Sequence, residues 1–400
     1  METRLRDNID WVGYVDWTVR DFHGYLTGRG STYNAYLIRD EKTALIDTVK
    51  GPYFEHLLRN IGTLTDLRNV DYVVCNHAEV DHSGALPQVM AALPNATLVC
   101  DEKCRQALSM HFDTSSWKFR IVATGDTISL GKRTLHFVET PMVHWPESMF
   151  TYVPEEKLLF SMDAFGQHYA TSQRFDDEVP FATLMEEAKI YYASIVMPYG
   201  KQVSRVLDQA AGLDIEMIAP SHGIIWRSRL ADILAAYRDW AVCKPKSRVV
   251  VIYDSMWGST AEMARAILEG ASVAGVEATL IHVRDSHFAK IANEILDAPA
   301  IALGSCTLNQ GMMPMMGAVL TYLKGLRPVG KSGFAFGSYG WGRGGPEDID
   351  EWLKQVKWEI LREPLKAQFR PAPEVLEECR AAGRLLAEKA IETAKQKTAH

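Results

Sequence analysis

Tyr72-Val73-Val74-Cys75-Asn76-His77-Ala78-Glu79-Val80-Asp81-His82 joins a run of β-forming residues to four potential metal ligands within six positions. Any one of His77, Glu79, Asp81 or His82 fits a solvated polar turn. All four at a single strand end do not. Three further candidates recur at matching places: His144 after the strand expected over 134–138, Asp163 after that over 158–160, and His222 after the apolar run 215–219. Donors delivered from the ends of several strands converge on one edge of a sheet, as a metal site requires.

Outward from this stretch, short β runs dominate from Thr32 to about Arg174, at 32–38, 43–49, 72–76, 97–100, 134–138, 149–153 and 158–160. Helices are expected over 53–60, 85–92, 181–192 and 203–211. The mixture reads as a layered α/β domain. Cys243-Lys244-Pro245-Lys246-Ser247 interrupts it, which puts a first domain at 1–246 and a second at 247–400. The second opens on the apolar run 248–253, typical of a strand buried on both faces of a parallel sheet. Helices at 261–274, 290–296 and 316–323 then alternate with strands at 278–283, 300–303 and 332–337. That order implies a doubly wound parallel sheet, which binds ligands at the carboxyl ends of its strands. Residues 373–394 read as a charged amphipathic helix.

The 400 residues are 47% apolar and 23% charged, which is ordinary globular usage. A formal net charge of −7 offers no basic footprint for nucleic acid. No apolar run approaches the ~18 residues of a membrane helix, and Met1 to Asp10 lacks the apolar stretch of a secretory signal. Six cysteines without a C-x-x-C pair argue against a zinc ribbon, a rubredoxin-type iron site or a disulfide framework. A soluble, cytoplasmic protein is expected.

The order His77, Glu79, Asp81, His82, His144, Asp163, His222 resembles the metallo-β-lactamase superfold, whose hydrolases carry H-x-H-x-D-H followed by His, Asp and His. With Glu79 in place of the second His, it is similar specifically to the flavodiiron proteins, over nearly the whole chain. The resemblance implies a metallo-β-lactamase-like αββα sandwich followed by a flavodoxin-like doubly wound sheet, and a di-iron centre held by these seven residues. Glu79 makes sense independently, because zinc in hydrolytic sites favours nitrogen-rich ligation whereas iron cycling to its ferric state is better served by hard oxygen donors. If Asp163 bridges, one ion takes His77, Glu79 and His144, and the other takes Asp81, His82 and His222. Three carboxylates and a bridging hydroxide then balance two ferrous ions, so the site can be buried without a large charge penalty. Whether His82 binds directly stays open, because its equivalent turns away in some members. His23 and Tyr191 match family positions near the substrate pocket, where they could hydrogen-bond a diatomic or supply protons; a buried structural role is the alternative. His168 could line the same pocket, stand behind it or lie at the surface. His56, His111, His136, His282, His287 and His400 are expected to be structural or at the surface.

In the second domain, Ser255-Met256-Trp257-Gly258-Ser259-Thr260 lies between a buried strand and a helix, where backbone N–H groups and hydroxyls make an anion site for one phosphate. It matches neither the nucleoside-triphosphate nor the dinucleotide loop, so a mononucleotide fits better. The loop resembles that of flavodoxins, with Trp257 where Thr is usual. Ser305-Cys306-Thr307-Leu308-Asn309 and Ser338-Tyr339-Gly340-Trp341-Gly342 follow later strands, where an isoalloxazine ring should lie and Tyr339 or Trp341 could flank it. FMN is the expected cofactor. Met312, Met313, Met315 and Met316 read as adaptable apolar packing.

FMN beside a di-iron centre suits multi-electron reduction of a small gas, and the resemblance implies a reductase of O2 to water and/or NO to N2O. Electrons should enter from an external donor such as rubredoxin, since the chain has neither a rubredoxin motif nor a dinucleotide fingerprint. A head-to-tail homodimer, or a tetramer built from it, is expected. Two other classes compete: a metallo-β-lactamase-type hydrolase fused to a flavodoxin domain, and a non-enzymatic electron carrier using FMN alone.

Overall fold

Two sheets arise where runs of buried residues form strands in the first part of the chain. In the computed structural model, which describes residues 3–396, a seven-stranded sheet runs in the order Thr3–Arg6, Ile9–Trp11, Tyr36–Arg39, Thr43–Ile46, Val70–Val74, Thr97–Cys100, Phe119–Ile121. His400 lies outside the described residues. A five-stranded sheet follows, in the order Thr127–Ser129, Thr134–Glu139, Met149–Val153, Leu158–Met162, Met217–Pro220. Tyr36, Ile38, Ala44, Ile46, Val74 and Val99 of the first sheet share one buried core with Leu135, Phe137, Met149, Leu158, Phe160 and Met217 of the second. The sheets therefore pack face to face. Leu37, Leu45, Val73 and Leu98 are equally buried on the opposite pleat, which is the face left for helices such as Phe54–Leu64, Leu86–Ala92 and Glu102–His111. The αββα sandwich is the expected one.

Strand direction positions the site. Thr43–Ile46, Val70–Val74 and Thr97–Cys100 are mutually parallel, as are Leu158–Met162 and Met217–Pro220, so their carboxyl ends open at a common edge within each sheet. Met149–Val153 runs antiparallel to Leu158–Met162, which brings the loop 140–148 before it to that edge as well. The strand expected over 32–38 is in fact two, Ser31–Tyr33 and Tyr36–Arg39, and the first pairs with Tyr14–Asp16 in a separate ribbon. Asn34 makes the break. Its side chain bonds the Pro220 and Gly223 carbonyls and the Trp11 indole, and its backbone N–H bonds the Ser221 carbonyl.

By contacts, residues up to Tyr192 together with Tyr199–Arg238 form one compact unit, and Ala193–Pro198 with the residues from Asp239 onward form another. The second unit holds a parallel sheet ordered Glu277–His282, Arg248–Asp254, Ala300–Ser305, Ser332–Tyr339, Glu359–Ile360. The strand order reverses between Arg248–Asp254 and Ala300–Ser305, which is the switch point where doubly wound sheets bind ligands. Lys331 is buried, and its ammonium donates to the carbonyls of Ile295 (2.6 Å), Leu296 (2.9 Å) and Ala298 (3.0 Å), closing the end of helix Phe288–Leu296.

Helices Ser259–Ala271 and Pro373–Gln396 meet at Gly270 and Gly383. A Cβ on Gly270 would overlap the Arg380 carbonyl, and one on Gly383 the Ile267 carbonyl. Both obstacles are backbone, so neither can swing aside. Gly383→Ala should therefore destabilise the second unit by about 1–3 kcal/mol, read as a lower thermal midpoint by circular dichroism with metal content unchanged. An unchanged midpoint would mean that the helices separate without cost.

Candidate functional site

The sandwich edge gathers all seven of the expected metal-ligating side chains. One group comprises His77, Glu79, His144 and Asp163, and a second comprises Asp81, His82 and His222. Asp163 lies between them. Its Oδ2 is 3.1 Å from His144 Nε2 and 3.4 Å from His77 Nε2, while its Oδ1 is 3.1 Å from His82 Nε2 and 3.5 Å from His222 Nε2. Glu79 Oε2 approaches His77 Nε2 at 3.1 Å and His144 Nε2 at 3.2 Å, and Asp81 Oδ2 approaches His222 Nε2 at 3.0 Å. Donor atoms that share an ion bound at about 2.1 Å lie about 3.0–3.4 Å apart, so the spacing suits coordination.

The orientation of the rings also fits a metal. His77 Nδ1 faces Glu147 Oε1 at 2.8 Å, and His222 Nδ1 faces the Thr32 carbonyl at 2.5 Å. Each acceptor fixes the proton on Nδ1 and turns the Nε2 lone pair inward. Asp81 Oδ1 and His82 Nε2 are buried without a hydrogen-bond partner among the described residues, as befits atoms reserved for an ion; His82 Nδ1 is also without one.

Opposite charges in the cluster stabilise one another. Burial would depress the His77 imidazole, yet its bonds to Glu147 and Glu79 hold it well above the usual range. Burial opposes His82 too, but the Asp81 and Asp163 carboxylates raise it to about 9. Glu79 and Asp163 move the other way: burial would raise them, and the surrounding histidines hold both far below the usual carboxylate range. With ions in place of those protons, the donor set would be anionic oxygen and imidazole nitrogen, rich enough in hard oxygen for iron.

Of the other candidates, Tyr191 donates its hydroxyl to Asp163 Oδ1 at 2.9 Å, and His23 Nε2 lies 2.9 Å from Glu79 Oε1 with its side chain 56% exposed. His168 is buried. Its Nδ1 bonds the Ser31 hydroxyl at 2.8 Å, its Nε2 has no partner among the described residues, and its ring stands 4.9 Å from that of Tyr191. Burial and then the neighbouring His222 push its pKa well below the usual histidine range, so it is neutral. Glu147, Thr32 and a clamp at the metal loop escaped the sequence. In that clamp Asp47 accepts from the Asn76 backbone (2.8 Å) and side chain (2.9 Å), and Thr151 of the other sheet donates to Asn76 (2.7 Å). Its place three residues after His144, in the same loop, was the only signal that could have found Glu147.

In the second unit the three expected loops meet at the carboxyl ends of Arg248–Asp254, Ala300–Ser305 and Ser332–Tyr339. Several hydroxyls brace the loops instead of facing outward. Thr260 and Ser338 bond each other at 2.9 Å, and Ser305 accepts from Met313 N–H at 2.8 Å and donates to the Cys306 carbonyl. Gly258, at φ +91°, turns the chain into the helix Ser259–Ala271. Buried Asp254 holds the same loop by accepting from Ser255 N–H (2.8 Å) and Arg284 Nε (2.7 Å). Ser255, Met256, Trp257, Gly258, Ser259, Thr307, Leu308, Asn309, Tyr339, Gly340, Trp341 and Gly342 remain at least partly open, with Trp257 90% and Trp341 94% exposed. A cradle of backbone and aromatic edges suits a flat mononucleotide.

Comparison with known proteins agrees with both halves. The model of the ODP family beta lactamase matches residues 32–223, and that of flavodoxin matches 251–383. A nitric oxide reductase of Moorella thermoacetica is 46% identical over 388 residues, covering 96% of this chain and 97% of the relative. A rubredoxin-oxygen oxidoreductase of Megalodesulfovibrio gigas is 41% identical over 374 residues, covering 92% and 93%. The crystal structure of the flavodiiron protein from Giardia intestinalis superposes with a TM-score of 0.96 at 38% identity, covering 99% of this chain and 98% of that one. With two donor groups sharing one aspartate and a flavodoxin-like cradle behind them in sequence, the chain belongs to the flavodiiron protein family.

Proposed function

We propose that this chain is an oxidoreductase that reduces O2 to water, NO to N2O, or both, at a pair of iron ions, with electrons passed through FMN from an external donor such as a rubredoxin. The observation that carries this reading is the sharing of Asp163 by two donor groups, one of which contains Glu79 where a hydrolytic zinc site would have nitrogen. His77, Glu79 and His144 would hold one ion, Asp81, His82 and His222 the other, and Asp163 both. Once bound, FMN and the ions supply the stored electrons: four for O2, two for a pair of NO molecules.

The chain's own residues handle protons and access. Tyr191, its hydroxyl held on Asp163, and His23, at the solvent side of Glu79, stand where a diatomic would be hydrogen-bonded and where protons must arrive. Neutral His168 closes the pocket behind Tyr191 and keeps Nε2 free for a donor. In the flavin cradle, backbone groups of 255–260 would take the phosphate, and the loops 305–309 and 338–342 would take the ring. The exposed Trp257 and Trp341, and Trp17 (55%) and Leu26 (47%) in the metal unit, need cover. A second copy in head-to-tail contact supplies it and sets the flavin unit of each chain against the metal unit of the other. The domain boundary near residue 246 and a cytoplasmic location belong to the same reading. Among the described residues no helix is long and apolar enough to cross a membrane.

Protein made with adequate iron should contain about two iron atoms and one FMN per chain, by the donor count above. Glu79→Ala should lower iron occupancy and gas consumption while FMN stays at the wild-type level; parallel loss of both cofactors would contradict two separate sites, and two zinc ions with hydrolytic turnover would revive a hydrolase. Glu147→Gln removes the charge behind His77 without changing its shape. Iron affinity, measured by chelator competition, should fall about 10- to 100-fold; an unchanged affinity would reduce Glu147 to packing. For assembly, a chain carrying His144→Ala with Asp163→Ala is co-expressed with one altered at Ser255, Ser259 and Thr260. The mixed dimer should keep about half the wild-type activity, since one of two equivalent junctions retains both cofactors. An inactive mixed dimer would mean that each chain uses its own pair.

A further inference from the structure

A file of aromatic rings leads away from the metal centre, on the side of the second donor group. The His222 ring lies 5.7 Å from that of Tyr33, Tyr33 lies 5.5 Å from Tyr53 in a stacked pair, and Tyr53 stacks on Tyr14 at 3.9 Å. Tyr33 is fully buried, whereas Tyr53 and Tyr14 are half-buried, so the file runs from the centre to the surface. Packing alone accounts for stacked rings. It does not account for Asp16.

The Asp16 carboxylate is 5% exposed and accepts the Tyr53 hydroxyl at 2.7 Å. Its other oxygen accepts from the Thr18 backbone (2.9 Å), the Thr18 hydroxyl (2.9 Å) and the Val19 backbone (3.0 Å). Three donors on one oxygen keep the carboxylate ionised, and a short bond to an ionised acceptor is the geometry in which a phenolic proton can move with little nuclear displacement. Tyr33 has no such acceptor: its hydroxyl is buried without a partner among the described residues, and the Lys50 ammonium stands 5.8 Å over its ring. A positive charge there disfavours a hole resting on Tyr33, so this ring serves as a bridge and Tyr53 as the first resting place.

We propose that Tyr33, Tyr53 and Tyr14 form a protective path that draws an oxidising equivalent out of the metal centre when reduction of O2 outruns the electron donor, with Asp16 taking the phenolic proton of Tyr53. This rests on the reading of the site as an O2 reductase. With too few electrons supplied, reduction of O2 would stop short and need one more electron. Tyr53 gives it through the rings of Tyr33 and His222, its proton passes to Asp16, and a neutral tyrosyl radical remains. Tyr14 then reduces Tyr53, the proton returns from Asp16, and Tyr14 releases its own proton to solvent. A thiol in solution restores Tyr14 by giving one electron and one proton. The ligands of the centre are thereby spared oxidation.

The holoprotein, reduced and then freed of donor, is mixed with excess O2 and frozen for electron paramagnetic resonance. Iron content and donor-driven O2 consumption are measured on the same samples. Wild type should give a tyrosyl radical whose line shape changes when the protein is grown on ring-deuterated tyrosine. Tyr53→Phe should lose the signal and Asp16→Asn should diminish it, both with iron content and donor-driven consumption retained. Tyr14→Phe should lengthen the radical's lifetime, and Tyr72→Phe, off the path, should change nothing. Peptide mass spectrometry after repeated donor-free O2 pulses should show more oxidised His222 in Tyr53→Phe than in wild type. A normal iron content and O2 consumption with no radical in wild type, or with an undiminished radical in Tyr53→Phe, overturns the relay and leaves the O2-reductase reading intact. Absence of iron or of O2 consumption in wild type overturns both.

Discussion

Everything at the sandwich edge depends on one carboxylate addressing two groups at once. Asp163 can do so because it follows Leu158–Met162, a strand parallel to the one that ends before His222 and antiparallel to the one that begins after His144. A slip of one residue in that register would turn Asp163 to the other face of its sheet. The register is held by apolar packing: Leu158 and Phe160 point into the core between the sheets, and their neighbours Leu159 and Ser161 point away. The chemistry of the edge is thus set by hydrophobic contacts several residues distant.

The second sheet must also be locked to the first, because His77, Glu79, Asp81 and His82 come from one and His144, Asp163 and His222 from the other. Asn76 does this. It is bonded to Asp47 on its own sheet and to Thr151 on the opposite one, and its carbonyl accepts the Met149 N–H at 3.0 Å. Four polar contacts in a dry interior are strong individually and costly to break, since a freed partner would remain buried and unsatisfied. The clamp sits one residue before His77, where any looseness would reach the donor cluster.

What could be read from the sequence follows the range of the interactions. The four donors of 77–82 and the strands beside them are local patterns, and so is the alternation that made the second unit a doubly wound sheet. The strands Thr3–Arg6 and Ile9–Trp11 carry charged residues among few apolar ones, and they were legible only once the core showed Leu5, Ile9 and Trp11 buried in it. Glu147, Thr32 and Asp47 are ordinary residues whose importance lies in partners 70, 190 and 29 positions away. No periodicity reports such pairings. Asn34 likewise looked like one more residue of a strand until its four bonds showed why the strand must break there. In the flavin loops the residue types were informative but their duties were not: Thr260, Ser305 and Ser338 were natural ligand donors by chemistry, and the fold uses their hydroxyls to tie loops together.

The two halves solve the problem of holding a charged cofactor in opposite ways, and the reason is electrostatic. Two metal ions bring several positive charges into a low-dielectric interior, which only ionised side chains at contact distance can offset, so the first unit buries Glu79, Asp81 and Asp163 among four histidines and then needs Glu147, Thr32 and Asp47 to keep them aimed. A mononucleotide brings one phosphate and a large apolar ring. Backbone N–H groups at a helix start suffice for the phosphate, and the ring asks only for flat edges, so the second unit needs no buried charge facing its ligand and can leave Trp257 and Trp341 almost wholly exposed. The same reasoning separates the consequences of damage: loss of one ligand in the first unit leaves uncompensated charge in the interior, whereas loss of one contact in the second leaves a backbone cradle with most of its donors in place.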